Sequence, residues 1–135
     1  MSVYREEIMD HFKKPRNFGP TPPRLRGASR DKWKVVEERN SSCGDVIRLG
    51  VRLTRTRLTR TVLVREIRFE GEGCAISLAS TSMLTEMIKG KSLKEVRSLS
   101  EAQILTKLGI PISSARKKCA TLGLSAWQKL QKKLI

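Results

Sequence analysis

The hydrophobic period of this chain changes at Cys74, and that change limits the architectures open to it. Upstream, Trp33 and Val35, then Ile47, Leu49, Val51 and Leu53, alternate with polar residues, and Val62, Val64, Ile67 and Phe69 continue the pattern. Apolar residues at every second position mark strands with one buried face. Downstream, Ile76, Ala79, Ser80, Met83 and Met87 recur at helical spacing. Strands are expected over 33–39, 45–53 and 61–69, and a helix over 75–89 that stops at Gly90. Strands in one run and helices in another predict an α+β fold with an antiparallel sheet.

Flanking segments fit the same plan. Residues 2–14 read as a helix with Tyr4, Ile8 and Phe12 on one face, and Pro15 ends it. Asn17 to Gly27 is rich in proline and glycine and reads as a loop. The repetitive stretch Leu53–Thr61 spans a hairpin turn. Short helices are expected over 93–96 and 101–108. Gly109 and Pro111 break the chain, and Ser113 or Ser114 caps a helix through Cys119. Gly123 bends that helix before Trp127, Leu130 and Leu134. The chain has 135 residues, which predicts one domain over 1–135. It holds no run of about 18 apolar residues, and its first residues lack the apolar core of a secretory signal. The expected location is cytoplasmic, away from any membrane.

The net charge is +15, from 28 basic and 13 acidic residues. Arg48, Arg52, Arg55, Arg57, Arg60, Arg65 and Arg68 fall in one stretch without an aromatic residue between them. Only 4% of the chain is aromatic, which is poor material for stacking on bases. The excess fits a solvated arginine-rich sheet face, a docking surface for an acidic protein, or nucleic-acid binding.

The chain has three cysteines, so disulfides cannot use them all. Cys43 and Asp45 are two residues apart, which in an extended segment aims both side chains to one face. Cys74 follows Gly71-Glu72-Gly73 and opens the expected helix, where the N-terminal dipole favours a thiolate. Cys119 follows Arg116, Lys117 and Lys118, whose charges act in the same direction. Three thiolates and a carboxylate suit zinc or an iron–sulfur cluster. Each cysteine alone could equally be a small buried apolar residue, and no Cys-x-x-Cys pair is present. The single histidine, His11, reads as a surface or packing residue, and the methionine-bearing face of 75–89 as core.

Four segments carry a family resemblance. They are Tyr-Arg-Glu-Glu-Ile-Met-Asp-His-Phe-Lys-Lys-Pro-Arg-Asn at 4–17, Cys-Gly-Asp at 43–45, Gly-Glu-Gly-Cys-Ala-Ile-Ser at 71–77 and Lys-Cys-Ala-Thr-Leu at 118–122. The third runs on through Ser-Met-Leu-Thr-Glu-Met-Ile-Lys-Gly-Lys at 82–91. In this order they resemble the U-type iron–sulfur cluster assembly proteins, the IscU, NifU N-terminal and SufU group. The resemblance implies a small three-stranded antiparallel sheet with helices packed on one side. It implies zinc, iron or a transient 2Fe–2S cluster held by Cys43, Asp45, Cys74 and Cys119. It also implies a PLP-dependent cysteine desulfurase as sulfur donor and recipient apoproteins as acceptors.

Two branches of that family differ in motif. The IscU scaffolds carry a histidine before the last cysteine and a Leu-Pro-Pro-Val-Lys chaperone motif upstream. Here Lys118 stands in the histidine position, and 112–116 reads Ile-Ser-Ser-Ala-Arg. The SufU branch has Gly-Glu-Gly-Cys and Ala-Arg-x-Lys-Cys-Ala, both present here, but usually an insertion between the last two cysteines that is absent here. The SufU likeness implies Cys43 as sulfur acceptor with Arg116 steering the donor; the scaffold likeness implies Cys119. Sulfur relay and cluster scaffolding use the same ligands. The alternative outside this family is a basic nucleic-acid-binding module with a structural zinc.

Overall fold

The computed structural model describes residues 2–21, 33–40 and 44–134. Helix α1 (Ser2–Lys13) precedes strands β1 (Trp33–Asn40), β2 (Asp45–Arg55) and β3 (Val62–Glu72). Five helices follow: α2 (Ala75–Ile88), α3 (Leu93–Val96), α4 (Glu101–Leu108), α5 (Ser114–Ala120) and α6 (Leu122–Leu134). The strands form one antiparallel sheet in the order β1-β2-β3. The expected α+β class and three-stranded sheet are therefore found. The expected loop of 17–27 falls outside the described residues from Pro22 onward.

One face of the sheet builds the core. Val36, Ile47, Leu49, Val51, Val64, Ile67 and Phe69 pack with Leu84, Ile88, Leu122, Trp127 and Leu130. The step of three from Val64 to Ile67 breaks strict alternation, and the register explains it. Arg52 pairs with Glu66 but Leu53 pairs with Val64, so Arg65 is an extra residue in a β-bulge. β1 contributes Val36 to this core, whereas Trp33 and Val35 sit on the opposite face beside Gly50. A Cβ at Gly50 would meet them at 3.4 and 3.3 Å.

Both sheet edges are occupied. Along β3, Gly19 N–H donates to the Phe69 carbonyl (3.0 Å) and Phe69 N–H to that of Asn17 (2.9 Å). Phe18 stacks edge-on against Phe69 with ring centres 5.2 Å apart. Along β1, Lys129 and Lys133 donate their Nζ protons to the carbonyls of Glu37 (2.9 Å) and Val35 (3.1 Å). Lysines four apart on a helix match carbonyls two apart on a strand, because both repeats advance about 6 Å.

Helix α2 lies among α1, α5, α6 and β3 and is buried on nearly all sides. Ser80, Thr81 and Thr85 satisfy their hydroxyls on its own backbone: Thr81 Oγ1 donates to Ser77 O (2.7 Å) and Thr85 Oγ1 to Ser82 O (2.7 Å). These small side chains let neighbours approach closely. Gly123 is one such neighbour, since a Cβ there would stand 2.5 Å from Thr81 Oγ1. The expected bend at Gly123 is instead a break at Thr121, between α5 and α6. Gly123 serves close packing.

Helix α1 docks on α2 through Ile8 and His11, both buried, while Phe12 is exposed. The inward stripe therefore runs through position 11 where the sequence suggested 12. His11 Nδ1 lies 2.7 Å from Ser82 Oγ, which also accepts the Arg16 backbone N–H (2.8 Å). His11 is thus a packing residue. Burial, then the nearby Arg16 cation, holds its imidazole below the usual range, with Glu7, Asp10 and Glu86 opposing. A depressed histidine pKa means that the unfolded chain takes up the proton first. Stability is then full above about pH 6.5 and falls as pH drops below it, at no more than ~1.4 kcal/mol per unit. Urea midpoints measured from about pH 7.5 to 5 should show this fall, and His11→Gln should flatten it.

Candidate metal centre

Antiparallel pairing brings the start of β2 beside the end of β3, with Val46 opposite Glu72. Asp45 is the first residue of β2, and Cys74 follows β3 by two residues. Sequence-distant candidate ligands thus meet because the strands between them form a hairpin. Helix α5 packs on α2 and supplies Cys119 from the third direction. One carboxylate oxygen of Asp45 and the sulfurs of Cys74 and Cys119 all lie within 4.8 Å of one another. Cys43, which precedes Gly44, lies outside the described residues.

Each position has a local cause. Asp45 pairs directly with Asn40 across the β1–β2 connection. Gly44 donates its N–H to the Asn40 carbonyl (2.8 Å) and adopts φ +76°, a backbone region that glycine enters without cost. Cys74 is the N-cap of α2 with an extended backbone, and its side chain makes no capping hydrogen bond. Ser113 caps α5 through the Arg116 N–H (3.3 Å), so the helix presents Cys119 one turn after Arg116. Ile8, Ile76, Ala79, Met83, Leu108 and Ala120 form an apolar cluster with Cys119, and Cys74 packs against it.

The donor set fits a bound cation. Asp45 is only 6% exposed, and among the described residues its Oδ2 has no hydrogen-bond partner. A buried carboxylate oxygen without a donor is costly unless something positive satisfies it. Zinc with arms of about 2.0–2.3 Å holds neighbouring ligand atoms about 3.3–3.8 Å apart. The observed spread needs only small side-chain movements to reach that. Cys74 is half-buried and Cys119 buried, so one side of the cluster faces outward.

The glycines before Cys74 allow close packing. Gly71 admits strand contact, for a Cβ there would stand 2.1 Å from Val46 O. Gly73 cradles the Asp45 carboxylate: a Cβ would lie 2.3 Å from Ser77 Oγ and 3.0 Å from Asp45 Cγ. Asn40 was not singled out from the sequence. It is buried, and its Nδ2 donates to Cys119 Sγ at 3.9 Å, a contact that steadies the sulfur. Strand parity was the available signal, since Asn40 shares the inward face of β1 with Val36.

The three cations before Cys119 divide. Lys117 turns to α4 and pairs with Glu101 (3.3 Å). Lys118 lines a cleft of about 270 Å3 with Arg39, Asn40 and Thr121. Arg116 is exposed on the first turn of α5. The seven expected arginines also divide. Arg48 donates to Thr21 Oγ1 (2.6 Å), and Arg52 pairs with Glu66. Both belong to the sheet surface.

The NifU-like N-terminal domain family matches residues 3–133, and the chain belongs to it. It is 36% identical over 148 aligned positions to the zinc-dependent sulfurtransferase SufU of Bacillus subtilis, covering 97% of this chain and 88% of that protein. It is 29% identical to the iron–sulfur cluster assembly scaffold protein IscU of Haemophilus influenzae, covering 81% of this chain and 79% of that one. A crystal structure of an iron–sulfur cluster assembly scaffold protein for the SUF system from Fervidobacterium islandicum superposes with a TM-score of 0.68. Its identity is 27% and its coverage 96% of both chains. This membership does not favour the nucleic-acid alternative. Among the described residues no helix is long and apolar enough to cross a membrane.

Because Gly73 seats the carboxylate, Gly73→Ala should cost about 1–3 kcal/mol in thermal or urea unfolding. Adding Ser77→Ala removes the nearest obstructing atom, which lies 2.3 Å away, and should recover part of that loss.

Proposed function

We propose that this chain accepts persulfide sulfur from a PLP-dependent cysteine desulfurase and holds zinc or a transient 2Fe–2S cluster on Cys43, Asp45, Cys74 and Cys119. The observation that carries the reading is the meeting of Asp45, Cys74 and Cys119 within 4.8 Å, with an Asp45 Oδ2 that is buried and has no donor among the described residues. Covalent geometry supports the fourth ligand. The Cα of Cys43 can lie no more than about 7 Å from that of Asp45, two residues away. A bound cation would keep the thiols ionised, which is the chemistry sulfur transfer needs.

The transfer balances without an added oxidant. A cysteine thiolate of this chain attacks the outer sulfur of the donor persulfide, a new S–S bond forms, the old one breaks, and the donor leaves as thiolate. Cys43 is the favoured acceptor. Its neighbour Gly44 is exposed, whereas Cys119, the alternative, is buried and contacted by Asn40. Arg116 lies on the face of α5 one turn before Cys119, where its charge can steer an anionic donor. The zinc-dependent SufU relative and the two SufU motifs support relay; the IscU relative supports scaffolding on the same ligands. We read the whole of 1–135 as one assembly domain that works in the cytoplasm and passes sulfur or cluster to recipient apoproteins.

The test combines metal analysis with transfer. The purified chain is mixed with a cysteine desulfurase, cysteine and a dithiol reductant, and sulfide release is followed together with bound zinc and iron. Stimulated release with zinc retained supports relay, and a visible-range cluster absorbance under iron supports scaffolding. The absence of both, with a competent desulfurase, would remove the proposal. Asp45→Ala gives effects of opposite sign. Removing a donorless buried carboxylate should stabilise the metal-free chain by about 1 kcal/mol. The same change should weaken zinc retention against a chelator by about tenfold or more. Equal retention would take Asp45 out of the ligand set.

A further inference from the structure

The end of the molecule opposite the cysteines is strongly cationic. The β2–β3 hairpin turns there, ten residues beyond Asp45 along β2, a distance of roughly 30 Å. Arg55, Arg57 and Arg60 stand on the tip, and the bulge residue Arg65 lies just below it; all are exposed. The turn after α2 joins the same end. Gly90 N–H donates to Val64 O (2.8 Å), Val64 N–H to Lys91 O (2.9 Å), and Ser92 bridges Leu63. This adds the exposed Lys91 and Lys94. Among the described residues no carboxylate forms an ion pair with these six cations. Glu66 is held by Arg52, and Glu95 accepts from Ser92 Oγ (3.1 Å).

Two features separate this end from a merely solvated surface. Leu58 stands at the apex, 99% exposed, between Arg57 and Arg60. The apex is also rigidly built. Thr56 N–H donates to Thr61 O (2.9 Å), Arg60 N–H to Thr56 O (3.0 Å), and Thr61 N–H to Thr56 Oγ1 (3.2 Å). Arg60 adopts φ +56°, a left-handed backbone that glycine or asparagine enters more easily. An arginine kept in an unfavourable backbone conformation points to a use for its side chain. A pre-ordered tip with an apolar centre and a cationic rim has the anatomy of a protein-binding anchor.

We propose that the hairpin tip, with Leu58 as anchor and Arg55, Arg57, Arg60, Arg65, Lys91 and Lys94 around it, docks on a protein partner whose face is acidic and carries an apolar pit. Nucleic acid fits less well. The tip offers no aromatic face on which bases stack, and nucleic acid would set Leu58 against phosphates. The tip and the cysteine cluster face opposite ends of the sheet. A partner held here leaves the cysteines open to a second protein. The inference uses none of the metal ligands, so it stands or falls separately from the proposed function.

The test titrates the isotope-labelled 135-residue chain with a synthetic amphipathic helix of glutamate and leucine. The parallel probes are an all-glutamate peptide, poly(U), and phosphatidylglycerol vesicles. The glutamate–leucine helix should shift the amide signals of 55–60 and 91–94 and leave those of 73–74 and 118–120 unmoved. Leu58→Ser should weaken binding about tenfold, and Arg57→Glu at least as much. Arg60→Gly separates structure from recognition: it should raise the melting temperature yet weaken binding by about threefold. Peptide shifts that are absent or confined to the cysteine end would overturn the proposal. So would tighter binding of poly(U) or vesicles than of the helix, unchanged binding by Leu58→Ser, or a stabilised Arg60→Gly variant with undiminished affinity.

Discussion

The pairing of Val46 with Glu72 is the constraint on which the rest of the structure depends. It lays the first residue of β2 beside the exit of β3 and so fixes where the chain can enter α2. Gly71 permits the close strand contact, and Gly73 leaves room for the Asp45 carboxylate beside Ser77. A slip of one residue would turn Asp45 to the other face and carry Ile47, Leu49 and Val51 out of the core with it. The same apolar burial that stabilises the sheet therefore also holds the carboxylate in its buried place. Packing and site share one register.

The cluster also shows how a cost can be placed usefully. A buried oxygen of Asp45 without a donor among the described residues opposes folding. This cost is bearable because the two hydrophobic clusters are continuous with α2, which many other elements touch. Asn40 adds a directional contact to Cys119 and accepts the Gly44 N–H through its carbonyl, so one residue ties the β1–β2 connection to α5. The three side chains are placed during folding, and their ordering costs are met then.

Much of this was legible in the sequence, and the reasons are physical. Period-two alternation gave β2 and β3, because their inner faces are buried and their outer faces are wet. The expected bounds of α3 and α4 match the structure, where Ser92 and Ser100 cap the helices and Gly109, with φ +68°, ends α4. The partnership of Asp45 with Cys74 and Cys119 was suggested by residue chemistry and sharpened by motif resemblance, since their spacing reflects a hairpin and a helix packing that no local pattern encodes. What escaped was rotation and close approach. Phe12 and His11 are one residue apart, and tertiary contact with Ser82 chose His11. Gly123 looked like a bend because glycine usually marks one, yet here it makes space for Thr81. The arginines between 48 and 68 looked uniform, but the bulge at Arg65 separates those built into the sheet from those at its tip.

The lysines of α6 have a consequence for how crowded this molecule can safely become. An uncovered strand edge is a template on which another chain can add, and iterated addition leads to fibrils. Here amines from Lys129 and Lys133 occupy one border and the backbone of 17–19 occupies the other. Neighbouring copies meet ammonium groups or an already paired border where they would otherwise find open amides. A three-stranded sheet this small has proportionally more border than a large one, and in this chain much of that border is already closed to lateral growth.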